Sequence, residues 1–146
     1  MENTQLDHEQ VKKILPHRAP MLFVDEVTKL IPGELVEAFL VIDPAKEIFK
    51  GHFPGSPILP GVCSIEAMAQ GTDVLLMTLP DYAGKLPLLI GVDKARFYKK
   101  IVPGDTAYIC TRMHDHRRDK ALATCKCSVH VDKALAAEAE ITIAMR

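Results

Sequence analysis

The sequence predicts an α+β domain in which one long helix is wrapped by a curved antiparallel β-sheet. Residues 61–79 contain no proline and place apolar side chains on more than one side, which is typical of a buried helix. Five or six strand-like segments, mostly joined by short turns, make up much of the remaining chain. Because a helix that is apolar nearly all round needs cover on several sides, we expect a sheet to curl about it.

The predicted elements are separated by clear helix and turn signals. Asp7 is a good cap for a first helix, and Pro16 lies just beyond its end. Pro32 and Gly33 mark a turn between two strands. In order, we predict a helix at 7–15, strands at 21–30 and 34–42, a stiff loop before the helix at 61–79, a strand within 88–102, a strand with clear apolar–polar alternation at 106–113, a polar turn at 114–119, and strands at 121–131 and 134–143.

Composition limits the classes of function. We expect one domain, residues 1–146, and 48% of these residues are hydrophobic, so a substantial core is available. The net charge of −1 gives no general attraction to nucleic acid or to a membrane. Because neither a signal peptide nor a membrane-spanning apolar stretch is visible, we expect a cytoplasmic protein with reduced cysteines. Cys125 and Cys127 would share one face of a strand, which is a weak metal signal.

His52 and Glu66 are the candidate catalytic pair. His52 lies in a loop stiffened by prolines, and histidine titrates near neutral pH. Glu66 lies in the apolar first half of the predicted helix, where an ionised carboxylate needs a partner or a task. Between them, Gly61 at the helix N-terminus offers a backbone N–H that suits a developing oxyanion. Together they indicate proton-transfer chemistry, while residue types alone also allow structural roles for His52 and Glu66.

The segment that contains this pair resembles the signature of a known enzyme family. It reads Gly-His-Phe-Pro-Gly-Ser-Pro-Ile-Leu-Pro-Gly-Val at 51–62 and Glu-Ala-Met-Ala-Gln at 66–70. This pattern is similar to that of the β-hydroxyacyl-acyl carrier protein dehydratases of bacterial fatty-acid synthesis, the FabZ type. The resemblance covers nearly the whole chain, with further matching segments at 14–20, 24–25, 91–97, 102–105, 131–132 and 137–140.

The resemblance implies the hotdog fold and a homodimer as the minimal active unit, commonly assembled as a trimer of dimers. His52 of one subunit would face Glu66 of the partner subunit at the mouth of an acyl tunnel. The implied substrate is a (3R)-3-hydroxyacyl thioester on the phosphopantetheine arm of acyl carrier protein, and the products are the trans-2-enoyl thioester and water. No metal or redox cofactor is expected for this elimination.

The resemblance also implies substrate contacts for Gly61, Val62 and Gln70. Gln70 is one helical turn beyond Glu66, where it either orients that carboxyl or forms a plain core hydrogen bond. Basic residues are usually solvated, but an acidic carrier protein gives them a task, because docking by charge is reversible. The candidate docking residues are Lys94, Arg96, Lys99, Lys100, Arg117 and Arg118.

Other polar residues are expected to have structural roles. His17 is interpreted as fixing its loop, and Asp25 as a hydrogen-bond acceptor in a strand. His114 and His116 are interpreted as a solvated polar turn rather than a metal site. Asp73 makes the helix more polar than the family pattern, so we expect it to face a dimer interface or a basic partner.

Three other functions remain open at the level of sequence. A sister enzyme that also isomerises the double bond carries aspartate at the acid position, so Glu66 favours dehydration alone. A hotdog module that only binds acyl thioesters has no reason to bury an unpaired carboxylate, so the presence of both His52 and Glu66 favours an enzyme. A thioesterase of the same fold usually lacks the proline-rich histidine loop.

Overall fold

Seven strands form one antiparallel sheet around a long helix in the computed structural model, which describes residues 4–146. The strands are hydrogen-bonded in the order β1-β2-β3-β5-β6-β7-β4. In chain order the elements are β1 Thr4–Leu6, α1 His8–Ile14, β2 Glu26–Ile31, β3 Leu35–Val41, α2 Gly61–Met77, β4 Pro87–Phe97, β5 Thr106–Arg117, β6 Leu122–Val131 and β7 Ala134–Met145, with short 3₁₀ turns at Glu47–Lys50, Pro80–Tyr82 and Arg118–Lys120.

The helix α2 forms the centre of the hydrophobic core. It contacts β3, β4, β5, β6 and β7, and 12 of its 17 residues are buried. Met68, Leu75 and Leu76 on α2 are completely buried against the sheet. The α+β hotdog prediction is therefore confirmed, because a helix that is apolar on several sides is covered by a sheet. Among residues 4–146, no helix is both long and apolar enough to cross a bilayer.

The first helix is shorter than predicted, but its cap is the expected one. The carboxylate of Asp7 accepts a hydrogen bond from the Gln10 backbone N–H, and the Gln10 side chain accepts one from the Asp7 N–H. This reciprocal capping box satisfies two backbone donors at the start of α1. After α1, the guanidinium of Arg18 donates to the carbonyl oxygens of Lys12, Leu15 and His17. Arg18 thereby fixes the loop on which His17 lies.

The prediction of a strand over 21–30 is wrong in its first half, since β2 begins only at Glu26. Phe23 and Val24 are buried, so the apolar pattern is real. Side chains make two of the hydrogen bonds that hold this segment, because Gln70 accepts from the Phe23 N–H and the Asp25 carboxylate accepts from the Val41 N–H. The only strand contact among these is from the Asp25 N–H to the Phe39 carbonyl on β3. The expected acceptor role of Asp25 is confirmed, just before the strand rather than within it.

The polar turn predicted at 114–119 is also wrong, because β5 continues to Arg117 and pairs with β6 up to Leu122. A ladder needs only backbone groups, so polar side chains can continue it where both faces are exposed. The chain reverses at Arg118–Lys120, and Ala121 takes up a left-handed conformation there. The short strand β1 was not predicted, and α2 ends two residues earlier than the predicted helix.

The strand β4 forms one edge of the sheet and is exposed on both faces. It is 11 residues long and pairs only with β7. Pro87 stands at its first position, the place where a strand tolerates proline. Four large apolar side chains in its first half are exposed, namely Leu88, Leu89, Ile90 and Val92. A long apolar edge strand is a template for pairing with another chain, so this edge needs cover.

Candidate active site

His52 is held by the backbone of its own loop. Its Nδ1 lies 2.8 Å from the carbonyl oxygen of Ile58. Because a carbonyl oxygen only accepts, Nδ1 carries the proton and donates, which leaves Nε2 of the neutral ring as a free base. The ring also stacks on Phe53, with centroids 3.9 Å apart. The loop itself is braced by a hydrogen bond from the Leu59 N–H to the carbonyl of Ile101.

Gly61 is the first residue of α2. Among the described residues, neither a side-chain cap nor an acidic residue occupies the first turn. The Cys63 N–H already donates to the Pro60 carbonyl, so the N–H groups of Gly61 and Val62 are the ones available to an anion. The glycine is required here by packing, since a Cβ at this position would lie 3.1 Å from Cε1 of Phe97. The aromatic ring therefore closes against the helix N-terminus. Val62, the next residue, is 72% exposed in the single chain.

A cavity of about 400 Å³ brings His52 and Gly61 together. Its wall also includes Ser64 from α2, Phe97 from β4, and the segment 98–101 that follows β4. Apolar surface from Ile58 and aromatic surface from Phe97 adjoin the base and the helix N-terminus. The arrangement can therefore receive an apolar chain that ends in a polar, anionisable group.

The surroundings of Glu66 differ from those of His52. It does not line that cavity, and its side chain is 24% exposed. Its Oε1 accepts a hydrogen bond of 2.8 Å from Nε2 of Gln70, one turn further along α2. Gln70 is completely buried, donates also to the carbonyl of Met21, and accepts from the Phe23 N–H. Both alternatives for Gln70 are thus realised, because it orients the carboxyl and braces the core.

Two further titratable side chains lie behind Glu66. Nε2 of His17 is 3.6 Å from Oε1 of Glu66 and 3.7 Å from Oδ2 of Asp73. Burial, reinforced by the Glu66 charge, raises the pKa of Asp73 to about 8. Burial lowers the pKa of His17, although the Glu66 charge opposes this change. At neutral pH, therefore, Asp73 is protonated and His17 is uncharged, and the expectation that Asp73 has a basic partner is met only by a neutral ring.

The basic residues considered for carrier docking differ in how they are paired. Arg117 forms an ion pair with Asp119, Arg118 with Asp81, and Lys94 with Glu140. Arg96 is exposed and donates to the carbonyl of Ala95. Lys99 and Lys100 line the cavity that contains His52, and within residues 4–146 no carboxylate lies in salt-bridge range of either.

The remaining candidates for metal or surface roles are structural in this fold. His116 is not simply solvated, since its Nε2 lies 2.6 Å from the Tyr82 hydroxyl. Cys125 and Cys127 are buried on one face of β6, as predicted, and burial raises the pKa of their thiols to about 12 and about 11. All four cysteines are unpaired.

Sequence reasoning missed three features of this site. The Ile58 carbonyl that sets the tautomer of His52 leaves no signal in residue type, because any residue supplies a carbonyl. The contact of Phe97 with Gly61 joins residues that are distant along the chain. The contact of His17 with Glu66 and Asp73 was also missed, although the seven-residue spacing of the two acids placed them on one helix face.

The comparisons with known proteins agree with this geometry. The family model of the FabA-like domain matches residues 15–140. The 3-hydroxyacyl-[acyl-carrier-protein] dehydratase FabZ of Pelotomaculum thermopropionicum is 40% identical over 141 residues, which cover 97% of this chain and 99% of that protein. The protein of the same name from Ligilactobacillus salivarius is 41% identical over 133 residues, covering 91% and 95%.

Two solved structures show the same fold at low sequence identity. The dehydratase heterocomplex ApeI:P from Xenorhabdus doucetiae superimposes with a TM-score of 0.77 at 18% identity, covering 93% of this chain and 90% of that chain. A mutant thioesterase from Pseudomonas aeruginosa gives 0.70 at 15% identity, covering 95% and 93%. Because the family model spans most of the residues and the named relatives match nearly end to end, the chain belongs to the FabA-like family.

Proposed function

We propose that this chain eliminates water from (3R)-3-hydroxyacyl thioesters carried on acyl carrier protein, giving trans-2-enoyl thioesters for fatty-acid synthesis. One observation carries the proposal: His52, whose Nδ1 is hydrogen-bonded to the Ile58 carbonyl, and the helix N-terminus at Gly61 line one cavity. The relatives described above carry the dehydratase name. That name supports dehydration over the isomerase of the sister type and over thioester hydrolysis.

The chemistry follows from where charge develops. Nε2 of His52 takes the C2 proton, and the electron pair of that C–H bond moves towards the thioester carbonyl. The Gly61 N–H, with the dipole of α2 behind it, stabilises the oxyanion. As the C2–C3 double bond forms, the C3–O bond breaks, and the hydroxyl leaves as water with a proton from Glu66 or from His52⁺. Val62, beside Gly61, would contact the acyl group, and Gln70 would act by orienting Glu66.

The absence of Glu66 from the wall of the His52 cavity supports a site shared between two chains. We propose a homodimer in which Glu66 of the partner subunit completes the site. The exposed apolar edge of β4 supports such pairing, because a second copy would continue the sheet and cover this edge. Assembly of three such dimers stays a prediction from the resemblance.

Carrier docking is assigned to the basic residues nearest the cavity. Lys99 and Lys100 lie at its wall and are free of ion pairs within the described part of the chain, so their charge is available to an acidic partner. Arg96 is also exposed, near the end of β4, the strand that precedes these two lysines. Lys94, Arg117 and Arg118 already have carboxylate partners, so they contribute less. A cytoplasmic location is supported by the four unpaired cysteines.

The proposal is tested by hydration of a crotonyl thioester on carrier protein, followed as ultraviolet loss of the enoyl band. We expect His52→Ala to lower kcat by roughly 1,000-fold, and Glu66→Gln to lower kcat by roughly 100-fold with a smaller change in KM. His114→Ala, at an exposed position on β5, is the matched control and should retain full activity. Full activity of folded His52→Ala would remove the proposed base, and inactivity of the parent protein would remove the dehydratase assignment.

A further inference from the structure

A buried pair of side chains behind Glu66 has no part in the chemistry described so far. Asp73 lies on α2, two helical turns beyond Glu66, and is only 3% exposed. His17, on the loop after α1, places Nε2 between the two carboxyl groups, 3.6 Å from Oε1 of Glu66 and 3.7 Å from Oδ2 of Asp73. Nε2 of His17 therefore lies within salt-bridge range of two carboxyl groups, those of Glu66 and Asp73.

The hydrogen-bonding capacity of Asp73 and His17 is only partly used. Oδ1 of Asp73 and Nδ1 of His17 are both buried, and neither has a hydrogen-bond partner in residues 4–146. The loop cannot easily withdraw His17 from this position, because Arg18 clamps it through the carbonyls of Lys12, Leu15 and His17. A buried acid with an unused oxygen needs an explanation beyond core packing.

The charges of Asp73 and Glu66 determine which of the two carboxyl groups Nε2 of His17 interacts with more strongly. The groups that face Asp73 are Glu66 on α2, His17 on its loop, and the protonated Cys125 thiol on β6, whose pKa is raised chiefly by burial. At neutral pH burial keeps the proton on Asp73, so its carboxyl is a weak competitor. Nε2 of neutral His17, 3.6 Å from Oε1 of Glu66, is then not drawn away by a second charged carboxyl group.

We propose that Asp73 is a positioning residue of the active site, which acts through the shared imidazole of His17 on the carboxyl group of Glu66. The proposal rests on the catalytic role proposed above for Glu66. When Asp73 is protonated, His17 and Gln70 together orient Glu66. When Asp73 ionises, its charge draws the imidazole of His17 away from Glu66, and the site loses its orientation.

The first test is the pH dependence of kcat for hydration of crotonyl-carrier protein. In the parent protein, kcat should fall on the alkaline side with a midpoint near pH 8, the value to which burial and Glu66 raise the Asp73 pKa. Asp73→Asn keeps a neutral group of the same shape, so its kcat at pH near 7 should lie within about 3-fold of the parent, because an amide does not ionise in this range. Near pH 9 the variant should exceed the parent by about 10-fold.

The His17→Ala variant tests whether Asp73 acts on Glu66 through the imidazole of His17. In the His17→Ala background, Asp73→Asn should leave the alkaline limb unchanged, because the shared nitrogen is gone. Identical alkaline limbs in the parent and in Asp73→Asn would overturn the proposal. A difference that persists without His17 would also overturn it, since Asp73 would then act by another route.

A nuclear magnetic resonance titration of the His17 imidazole separates this proposal from the role of Glu66. Its ¹⁵N shifts should follow the ionisation of Asp73 in the parent and in Glu66→Gln, and should lose that transition in Asp73→Asn. Full activity of Glu66→Gln, with the transition retained, would refute the catalytic role of Glu66 and leave the contact in place. Absence of the transition in the parent would refute the coupling itself.

Discussion

At the residue scale, a single backbone carbonyl orients the proposed base, His52. The hydrogen bond to Ile58 fixes both the orientation and the tautomer of the ring, which leaves Nε2 of the neutral ring without a proton. Gln70 acts similarly on the other member of the pair, since its amide ties Glu66 to the segment at Met21. Both proposed catalytic side chains are thus hydrogen-bonded to groups that have no part in the proposed reaction.

The buried carboxyl of Asp73 predicts an unusual dependence of stability on pH. Unfolded Asp73 ionises near pH 3.8, whereas folded Asp73 keeps its proton to about pH 8. Between these values the folded state binds more protons, so the free energy of unfolding falls as pH rises, by at most about 1.4 kcal/mol per pH unit. Asp73→Asn removes this fall and should be more stable than the parent, increasingly so towards pH 8.

Denaturant unfolding at about pH 5 and about pH 8 measures the effect. The advantage of Asp73→Asn should be several-fold larger at the higher pH. Asp115→Asn, at an exposed position on β5, is the matched control and should show no such growth. Equal advantages of Asp73→Asn at the two pH values would contradict a raised pKa for Asp73.

At the element scale, α2 and β5 approach closely because position 71 lacks a side chain. A Cβ on Gly71 would lie 2.5 Å from Oγ1 of Thr111 and 3.3 Å from Cγ2 of Ile109. The buried Thr111 side chain lies at this contact between the helix and the sheet. The glycine therefore sets how near the central helix lies to the middle of the sheet.

We expect Gly71→Ala to destabilise the fold by about 1–2 kcal/mol, because overpacking exceeds the gain in helix propensity. Gly51→Ala is the control, since an added Cβ there meets no atom within 4 Å, and it should be nearly neutral. Adding Thr111→Ala should recover part of the loss, as a double-mutant cycle in chemical denaturation can measure. Strict additivity of the two changes would place the cause elsewhere.

At the scale of the whole molecule, the single chain exposes an apolar sheet edge, and Glu66 does not line the cavity that contains His52. Mixing inactive His52→Ala with inactive Glu66→Gln should restore activity if each site draws one residue from each subunit. Random exchange makes half of the dimers mixed, each with one intact site, so about a quarter of the parent activity is expected. The hydration assay after subunit exchange measures it.

A variant at the exposed edge of β4 is the control for this recovery of hydration activity. Ile90 is 55% exposed on β4, and Ile90→Lys should weaken dimer formation in sedimentation velocity and abolish the recovery. Val41→Lys, on an exposed apolar position at the end of β3, should leave both unchanged. Absence of recovery despite proven subunit exchange would indicate that each site lies within one chain.

The docking role proposed for Lys99 and Lys100 predicts a loss of activity that depends on the carrier. The double variant Lys99→Glu, Lys100→Glu should lower kcat/KM for crotonyl-carrier protein by about 10–100-fold, and the loss on crotonyl-pantetheine should be much smaller. Arg117→Glu with Arg118→Glu is the control and should change kcat/KM less than about 3-fold, since these charges are already paired. Equal losses on both substrates would argue for a role in the cavity instead of docking.

Most of the fold could be predicted from local pattern. The apolar stretch around Met68 and Leu75 indicated a buried helix, and the alternation in β5 placed Ile109 inside and Tyr108 outside. The errors have one physical origin. Residues 21–25 and 114–117 were misassigned because pairing depends on which backbone groups lie opposite, and the side chains of a segment do not specify this.

The proposed catalytic residues could be singled out from the sequence because the proposed chemistry requires particular residue types, His52, Glu66 and a glycine at the helix N-terminus, within one short segment. Tertiary structure alone decided which atoms surround them. It placed the Ile58 carbonyl on His52, the Phe97 ring on Gly61, and His17 between Glu66 and Asp73. Those contacts join residues from separate elements, and their distances and burial determine protonation, which no pattern along the chain encodes.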